Sequence, residues 1–194
     1  MRNVKLIVVV GILALLHGCA AVVVGGAATG ANVAHDRRTT GTFIEDEAIE
    51  LKSVSAFIAD KEINEQTHLN VTSFNTIVLV SGEAPTEELR QRAIQMVRKV
   101  PKVSHVHNEI SIAGPSSLMS RSADTLITTK VKTKMIAEKN LDGGHVKVVT
   151  ENGIVYLMGL LNREDADKAT EIARQTGGVQ KVVKLFQYSE SKSP

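Results

Sequence analysis

The chain has 194 residues, a formal net charge of +2 and six aromatic side chains, none of them Trp. So few aromatics leave no base-stacking platform, which excludes a nucleic-acid partner, and a single cysteine excludes an intramolecular disulfide. No Gly-rich phosphate loop, nucleophile elbow or Walker-like pattern stands in the sequence, so neither an enzyme nor a cofactor is expected.

Arg2 and Lys5 precede an unbroken apolar run over residues 6–16. That run is too short to cross a bilayer as a helix, which needs about 20 residues, and it reads as the hydrophobic part of an export signal. It ends in Leu16-His17-Gly18-Cys19, which resembles the lipobox of bacterial lipoproteins. The resemblance implies a signal peptide over residues 1–18, cleavage before Cys19 and acylation of that residue. Several acyl chains on one Cys make a stable anchor, since each buried methylene contributes roughly 0.8 kcal/mol. Ala20, rather than Asp, follows the Cys, and in such lipoproteins this implies the outer membrane, with the protein facing the periplasm. Without its signal the chain carries 21 basic and 21 acidic residues, so the mature protein is near neutral.

Residues 19–41, rich in Ala, Val and Gly before His35-Asp36-Arg37-Arg38, read as a tether. Beyond them the chain says one thing twice. Asn75-Thr-Ile-Val-Leu-Val-Ser-Gly82 recurs as Asn152-Gly-Ile-Val-Tyr-Leu-Met-Gly159, an offset of 77. His68 and Val71 match His145 and Val148 at that offset, and Val54 and Ile58 are paired with Val131 and Met135. Downstream the offset drops by one: Ala93, Arg98, Val103 and Val106 match Ala169, Arg174, Val179 and Val182. Each copy predicts the same order of elements. The first opens with a helix over residues 45–60 whose apolar face is Ile49, Val54, Phe57 and Ile58. Two strands follow over 68–73 and 76–81, turning at Phe74-Asn75. Their counterparts are 145–150 and 154–158, joined by Glu151-Asn152-Gly153, whose Asn-Gly is a strong hairpin signal. Thr86 and Asn162 are the N-caps of a second helix, each followed by acids that suit the positive helix end. Final strands run over 103–112 and 179–187. The expected domains are 42–113 and 122–190, with a Gly-Pro-Ser-Ser linker at 114–121 and a polar tail at 191–194. Such small domains are marginal alone, so the copies are candidates to pack on one another.

The strand Val78-Leu79-Val80-Ser81-Gly82, the helix with Ala93/Ala169 and Arg98/Arg174, and the closing Val103-x-x-Val106 and Val179-x-x-Val182 resemble the BON domain. Two such units behind a lipobox resemble the dual BON-domain outer-membrane lipoproteins of Gram-negative bacteria. The resemblance implies an α+β fold of two tandem α-β-β-α-β domains, each with two helices packed on a three-stranded mixed sheet. It also implies a non-enzymatic protein that binds anionic phospholipid (phosphatidylglycerol, cardiolipin) through its second domain, keeps the outer membrane intact and gathers at division sites.

The charge pattern agrees in sign. Residues 42–113 hold 7 basic and 11 acidic side chains, whereas residues 120–190 hold 11 and 9. On a helix from Asp124, Ile127, Val131 and Met135 form the core stripe. Leu126, Thr129, Lys130, Thr133 and Ala137 fall on the far side with Ile136 beside them, and Lys132 is near. An apolar tip beside ammonium groups suits the acyl–headgroup boundary. The expected phospholipid-binding residues are therefore Leu126, Thr129, Lys130, Thr133, Lys134 and Ala137, although an ordinary solvated Lys-rich face has the same composition. Family relatives often carry an aromatic where Leu126 stands. The offset of 77 makes Ser53, Ser55 and Phe57 the first-copy equivalents of Lys130, Lys132 and Lys134. His105 and His107 alternate on one strand, compatible with a metal pair, but no third ligand is evident and no metal is expected. His68 and His145 begin equivalent strands, which points to a structural or surface role. The alternative to lipid binding is an adaptor for an envelope assembly protein or a cell-wall component.

Overall fold

A computed structural model describes residues 39–139 and 141–188. The export signal, Cys19 and the tether as far as residue 38 lie outside the described residues, as does the tail. The elements are α1 (Thr40–Ala59), α2 (Lys61–Gln66), β1 (His68–Phe74), β2 (Ile77–Ala84), α3 (Glu87–Arg98), β3 (His105–Ile112), α4 (Leu118–Ala137), a 3-10 turn (Gly143–His145), β4 (Lys147–Glu151), β5 (Ile154–Leu161), α5 (Arg163–Arg174) and β6 (Lys181–Tyr188). Each repeat folds as an antiparallel hairpin whose second strand also pairs in parallel with the last, giving the orders β1-β2-β3 and β4-β5-β6. The parallel pairing follows from the helical crossover, α3 or α5, between those strands. The result is the expected pair of α+β domains with mixed sheets.

Caps set the helix starts. Thr39 and Ser117 accept from the amides of Thr42 and Ser120, both at 3.1 Å, so α1 begins at Thr40 and α4 takes in residues 118–121 of the expected linker. Thr86 and Asn162 cap α3 and α5 through the amides of Leu89 and Asp165. In α5 the buried face is Ala166, Ala169 and Ala173, small side chains that let the helix lie close to its sheet.

The first helix corrects the expected register. Val54 and Ile58 are 39% and 61% exposed. The buried positions of α1 are Asp46, Ile49, Ser53 and Phe57, and those of α4 are Asp124, Ile127, Val131 and Met135. The helices therefore align at an offset of 78, one more than the strands. The extra residue lies in the connection, where Asp60 accepts from the amides of Glu62 and Ile63 and starts α2. The second copy makes the same passage with the tighter Gly143–His145 turn. Consequently the counterparts of Lys130, Lys132 and Lys134 are Lys52, Val54 and Ala56, not Ser53, Ser55 and Phe57. Lys130 is shared between the copies, and only Lys132 and Lys134 distinguish the second.

The buried helix carboxylates fasten the hairpins. Both turns have two residues with positive φ, Asn75 (51°) and Thr76 (65°) in one copy, Asn152 (50°) and Gly153 (73°) in the other. This is the geometry that matches the twist of adjoining strands. Asp46 accepts from the amides of Asn75 (2.7 Å) and Thr76 (2.8 Å) and from the Ser73 hydroxyl (2.6 Å). Asp124 accepts from the amides of Asn152 (2.9 Å) and Gly153 (2.8 Å). Gly82 closes the first motif for a steric reason, because at its φ of +117° a Cβ would stand 2.0 Å from the His68 carbonyl oxygen.

Strand alternation assigns the two sheet faces. Val71, Val78, Val80, Val106 and Ile110 pack under α1 and α3, and Val148, Val155, Leu157 and Leu161 under α4 and α5. The opposite faces meet. Phe74, Ile77 and Leu79 of the first sheet join Val149, Ile154, Tyr156, Met158, Leu160, Val183 and Leu185 of the second in one apolar cluster. Around it, Asn75 Nδ2 donates to Gln187 Oε1 (2.7 Å), and Lys147 Nζ to Glu50 Oε1 (2.7 Å) and the Ser73 carbonyl (3.2 Å). The copies thus pack sheet against sheet, with helices outermost.

Candidate functional site

Helix α4 is 20 residues long, about 30 Å at 1.5 Å per residue. Its inner face is held by Ile127, Val131 and Met135 in the core and by Thr128, whose hydroxyl donates to Thr150 on β4 at 2.7 Å. That fixes the outer face. Leu126, Thr129, Lys130, Thr133, Lys134 and Ala137 are all exposed, as the spacing predicts, with Leu126 at 61%. Met119 and Leu118, which the sequence reading assigned to the linker, extend the apolar part of this face by two turns, and Ile136 is exposed at the far end. Lys134 is partly engaged: its ammonium donates to the Gln175 carbonyl at 3.3 Å, at the C-terminal end of α5 where a cation is favoured. Thr129 Oγ1 donates back to the Thr125 carbonyl at 2.9 Å. The arrangement offers apolar tips and exposed ammonium groups to a surface.

Helix α1, the equivalent element, presents a different outer face. Ile44, Leu51, Val54 and Ile58 are exposed along it, with Glu47 beside them.

A second constellation lies where the sheets meet. His68 begins β1, Glu83 stands near the end of β2 and Glu151 ends β4, and alternation turns all three toward the partner domain. His68 Nδ1 is 3.2 Å from Glu83 Oε2 and 3.9 Å from Glu151 Oε1. Glu83 and Glu151 are 2% and 5% exposed. Each is held by an amide from the other repeat: Asn70 Nδ2 donates to Glu151 Oε2 at 2.8 Å, and Asn152 Nδ2 donates to Glu83 Oε1. The Ser116 amide also donates to Glu83 Oε2, at 3.2 Å. Burial alone would raise the Glu83 carboxyl, but the hydrogen bonds from Asn152, Ser116 and His68 outweigh it and hold it below the usual range. Glu151 goes the other way: burial pushes it up, and the neighbouring Glu83 and Asp124 carboxylates add to the push against the Asn70 bond and His68. A cavity of about 490 Å³, lined by His68, Asn70, Asp124, Thr129, Lys132 and Glu151 among others, opens onto the cluster.

Sequence reasoning missed this cluster because it is assembled from both repeats. One available signal was Glu83, an acid at the end of the run Ile77-Val-Leu-Val-Ser-Gly, where near-continuous apolar character marks a strand covered on both faces. His105 and His107 do lie side by side, rings edge to face with centroids 4.6 Å apart. Burial, and then the charge of His105, lower the His107 pKa. Among the described residues the one group of three His, Asp or Glu ligand atoms close enough to share an ion is His68, Glu83 and Glu151.

The BON-domain family model matches residues 45–114 and 123–190. The chain belongs to the BON-domain family. It is similar to the Outer membrane lipoprotein DolP of Haemophilus influenzae, 38% identical over 184 residues that cover 95% of each chain. It is also similar to a 21 kDa hemolysin of Actinobacillus pleuropneumoniae, 35% identical over 79% of each chain. Osmotically-inducible protein Y of Escherichia coli is 28% identical, over 79% of this chain and 77% of that one. Both BON matches begin inside the long helices α1 and α4, so the turns of those helices that carry Leu118, Met119 and Ile44 lie outside the matched core.

Proposed function

We propose that this protein is an outer-membrane lipoprotein, anchored through acylated Cys19 and facing the periplasm, whose second BON domain binds anionic phospholipid and supports membrane integrity at division sites. The lipobox and the 38% identity to an outer-membrane lipoprotein support the location. The observation that carries lipid binding is the outer face of α4, where exposed Leu118, Met119, Leu126 and Ile136 flank Lys130 and Lys134. Such a helix lies in the headgroup layer with its apolar tips at the acyl boundary, and each lysine near an anionic surface contributes about 1 kcal/mol. The role is non-enzymatic, and the ligands are phosphatidylglycerol and cardiolipin.

The test is sedimentation of residues 20–194 with vesicles of rising phosphatidylglycerol content at two salt concentrations, beside Lys130→Glu/Lys134→Glu. Binding that weakens with salt and is lost in the variant supports the reading, because exposed charges are screened beyond roughly 8 Å at physiological ionic strength. Binding indifferent to the lysines overturns it.

One observation favours a second reading, an adaptor for an envelope assembly protein or cell-wall component. The stripe Ile44, Leu51, Val54 and Ile58 on α1 is apolar and exposed but lies in the acidic domain, which suits a protein better than an anionic membrane. A photo-reactive residue at position 51 that captures one protein in cells, where the same probe at position 126 does not, supports it.

A further inference from the structure

We propose that His68, Glu83 and Glu151 form a binding site for a first-row divalent cation, of the zinc type, that clips the two BON domains together. His68 and Glu83 come from the first sheet and Glu151 from the second, so an ion held by all three bridges the domain interface.

The geometry is close to what such an ion needs. Zinc bonds of 2.0–2.2 Å to nitrogen and oxygen put tetrahedral ligand atoms about 3.3 Å apart. The observed separations from His68 Nδ1 are 3.2 and 3.9 Å, and all three ligand atoms lie within 4.8 Å of one another. The outer oxygens are already oriented, Glu151 Oε2 by Asn70 and Glu83 Oε1 by Asn152, which leaves Glu151 Oε1 and Glu83 Oε2 turned to the imidazole. Polar partners of this kind fix ligand carboxylates in metal sites.

Two further observations point to a cation. Glu151 Oε1, on a side chain 7% exposed, accepts no hydrogen bond from any described residue, and its near neighbour is His68 Nδ1 at 3.9 Å. Charge does not balance within the protein either. Among the described residues no Lys or Arg comes within ion-pair distance of Glu83 or Glu151, since Lys147 pairs with Glu50 and Arg121 donates to the Ser116 carbonyl. The two carboxylate ligands together match the charge of one divalent cation. Buried charges persist when so compensated. An imidazole in the set favours zinc and its neighbours over magnesium or calcium. The cavity at His68 and Glu151 gives an ion access and room for a water as fourth ligand.

The experiment uses the mature chain with Cys19→Ser, so that no thiol competes, stripped with chelator and titrated with zinc chloride by calorimetry and thermal melting. The expected result is one equivalent bound and a melting temperature raised by roughly 5 °C or more when zinc is about 100 times its dissociation constant. Magnesium at that concentration gives no shift. His68→Ala and Glu151→Gln each abolish the zinc shift, while Glu151→Gln without metal melts no lower than the parent. Paramagnetic Mn²⁺ provides a check that needs no variant: it should broaden the resonances around His68, Glu83 and Glu151 before those around His105 and His107. Absence of a zinc shift in the parent, a shift that survives both substitutions, or broadening centred on His105 overturns the proposal.

Discussion

Asp46→Ala should be among the most destabilising single substitutions in the first domain. Asp46 is 1% exposed and accepts three short hydrogen bonds, from the amides of Asn75 and Thr76 and from the Ser73 hydroxyl. A hydrogen bond to a charged acceptor contributes about 1.5 kcal/mol or more, so the three together come to about 4–5 kcal/mol. The turn they brace is not self-sufficient, because Thr76 is β-branched and sits at φ 65°, in a region that costs an L-residue about 1–2 kcal/mol. Asp124 accepts two such bonds onto a turn that contains Gly153, so Asp124→Ala should cost less, about 3 kcal/mol. The assay is urea unfolding of the mature chain followed by far-UV circular dichroism, with the slope compared between variants. A loss below about 1 kcal/mol in Asp46→Ala, or an Asp124→Ala variant less stable than Asp46→Ala, refutes the view that these carboxylates clamp the hairpins.

Three further outcomes are expected. Leu126→Asp should weaken binding to phosphatidylglycerol vesicles by roughly 2–3 kcal/mol, from lost apolar burial and added repulsion, and Leu126→Trp should tighten it, both read by sedimentation. Gly82→Ala should lower stability by about 3 kcal/mol or more, given a Cβ 2.0 Å from the His68 carbonyl oxygen, while Gly114→Ala, with nothing within 4 Å, stays neutral in the same melts. His107, lowered by burial and by His105, resists charging in the folded chain, so its contribution to stability falls as pH drops through the ordinary imidazole value. His105→Ala should move the His107 titration part of the way back up in an NMR pH series.

Much of the fold was legible because it rests on local rules. The Asn-Gly turn, the caps Thr86 and Asn162, and the exposed face of α4 all follow from spacings within a dozen residues. The α1 face was misread because Val54 and Ile58 are the apolar residues there, while Ser53, a small polar side chain, takes the buried position. In this helix hydrophobicity and burial part company, since Asp46 is buried as well. The His68, Glu83 and Glu151 cluster was beyond such rules, since it forms only when two repeats meet face to face.

That meeting limits where partners can bind. Each sheet has one face under its own helices and much of the other against the sibling sheet. The broad surfaces left to solvent are then the helix layers, and duplication supplies two copies of the same long helix. Both keep a buried Asp at the hairpin, Asp46 or Asp124, and that shared part serves the fold. They diverge on the outer turns, where α1 carries Ile44, Leu51, Val54 and Ile58 in the domain of net charge −4, and α4 carries Leu126 with Lys132 and Lys134 in the domain of net charge +2. Two different outer faces on one two-sheet core, in domains of opposite net charge, leave room for two different partners at the same time. The lipid-binding and adaptor readings proposed above use different helices, so substitutions on α4 should leave capture at Leu51 intact.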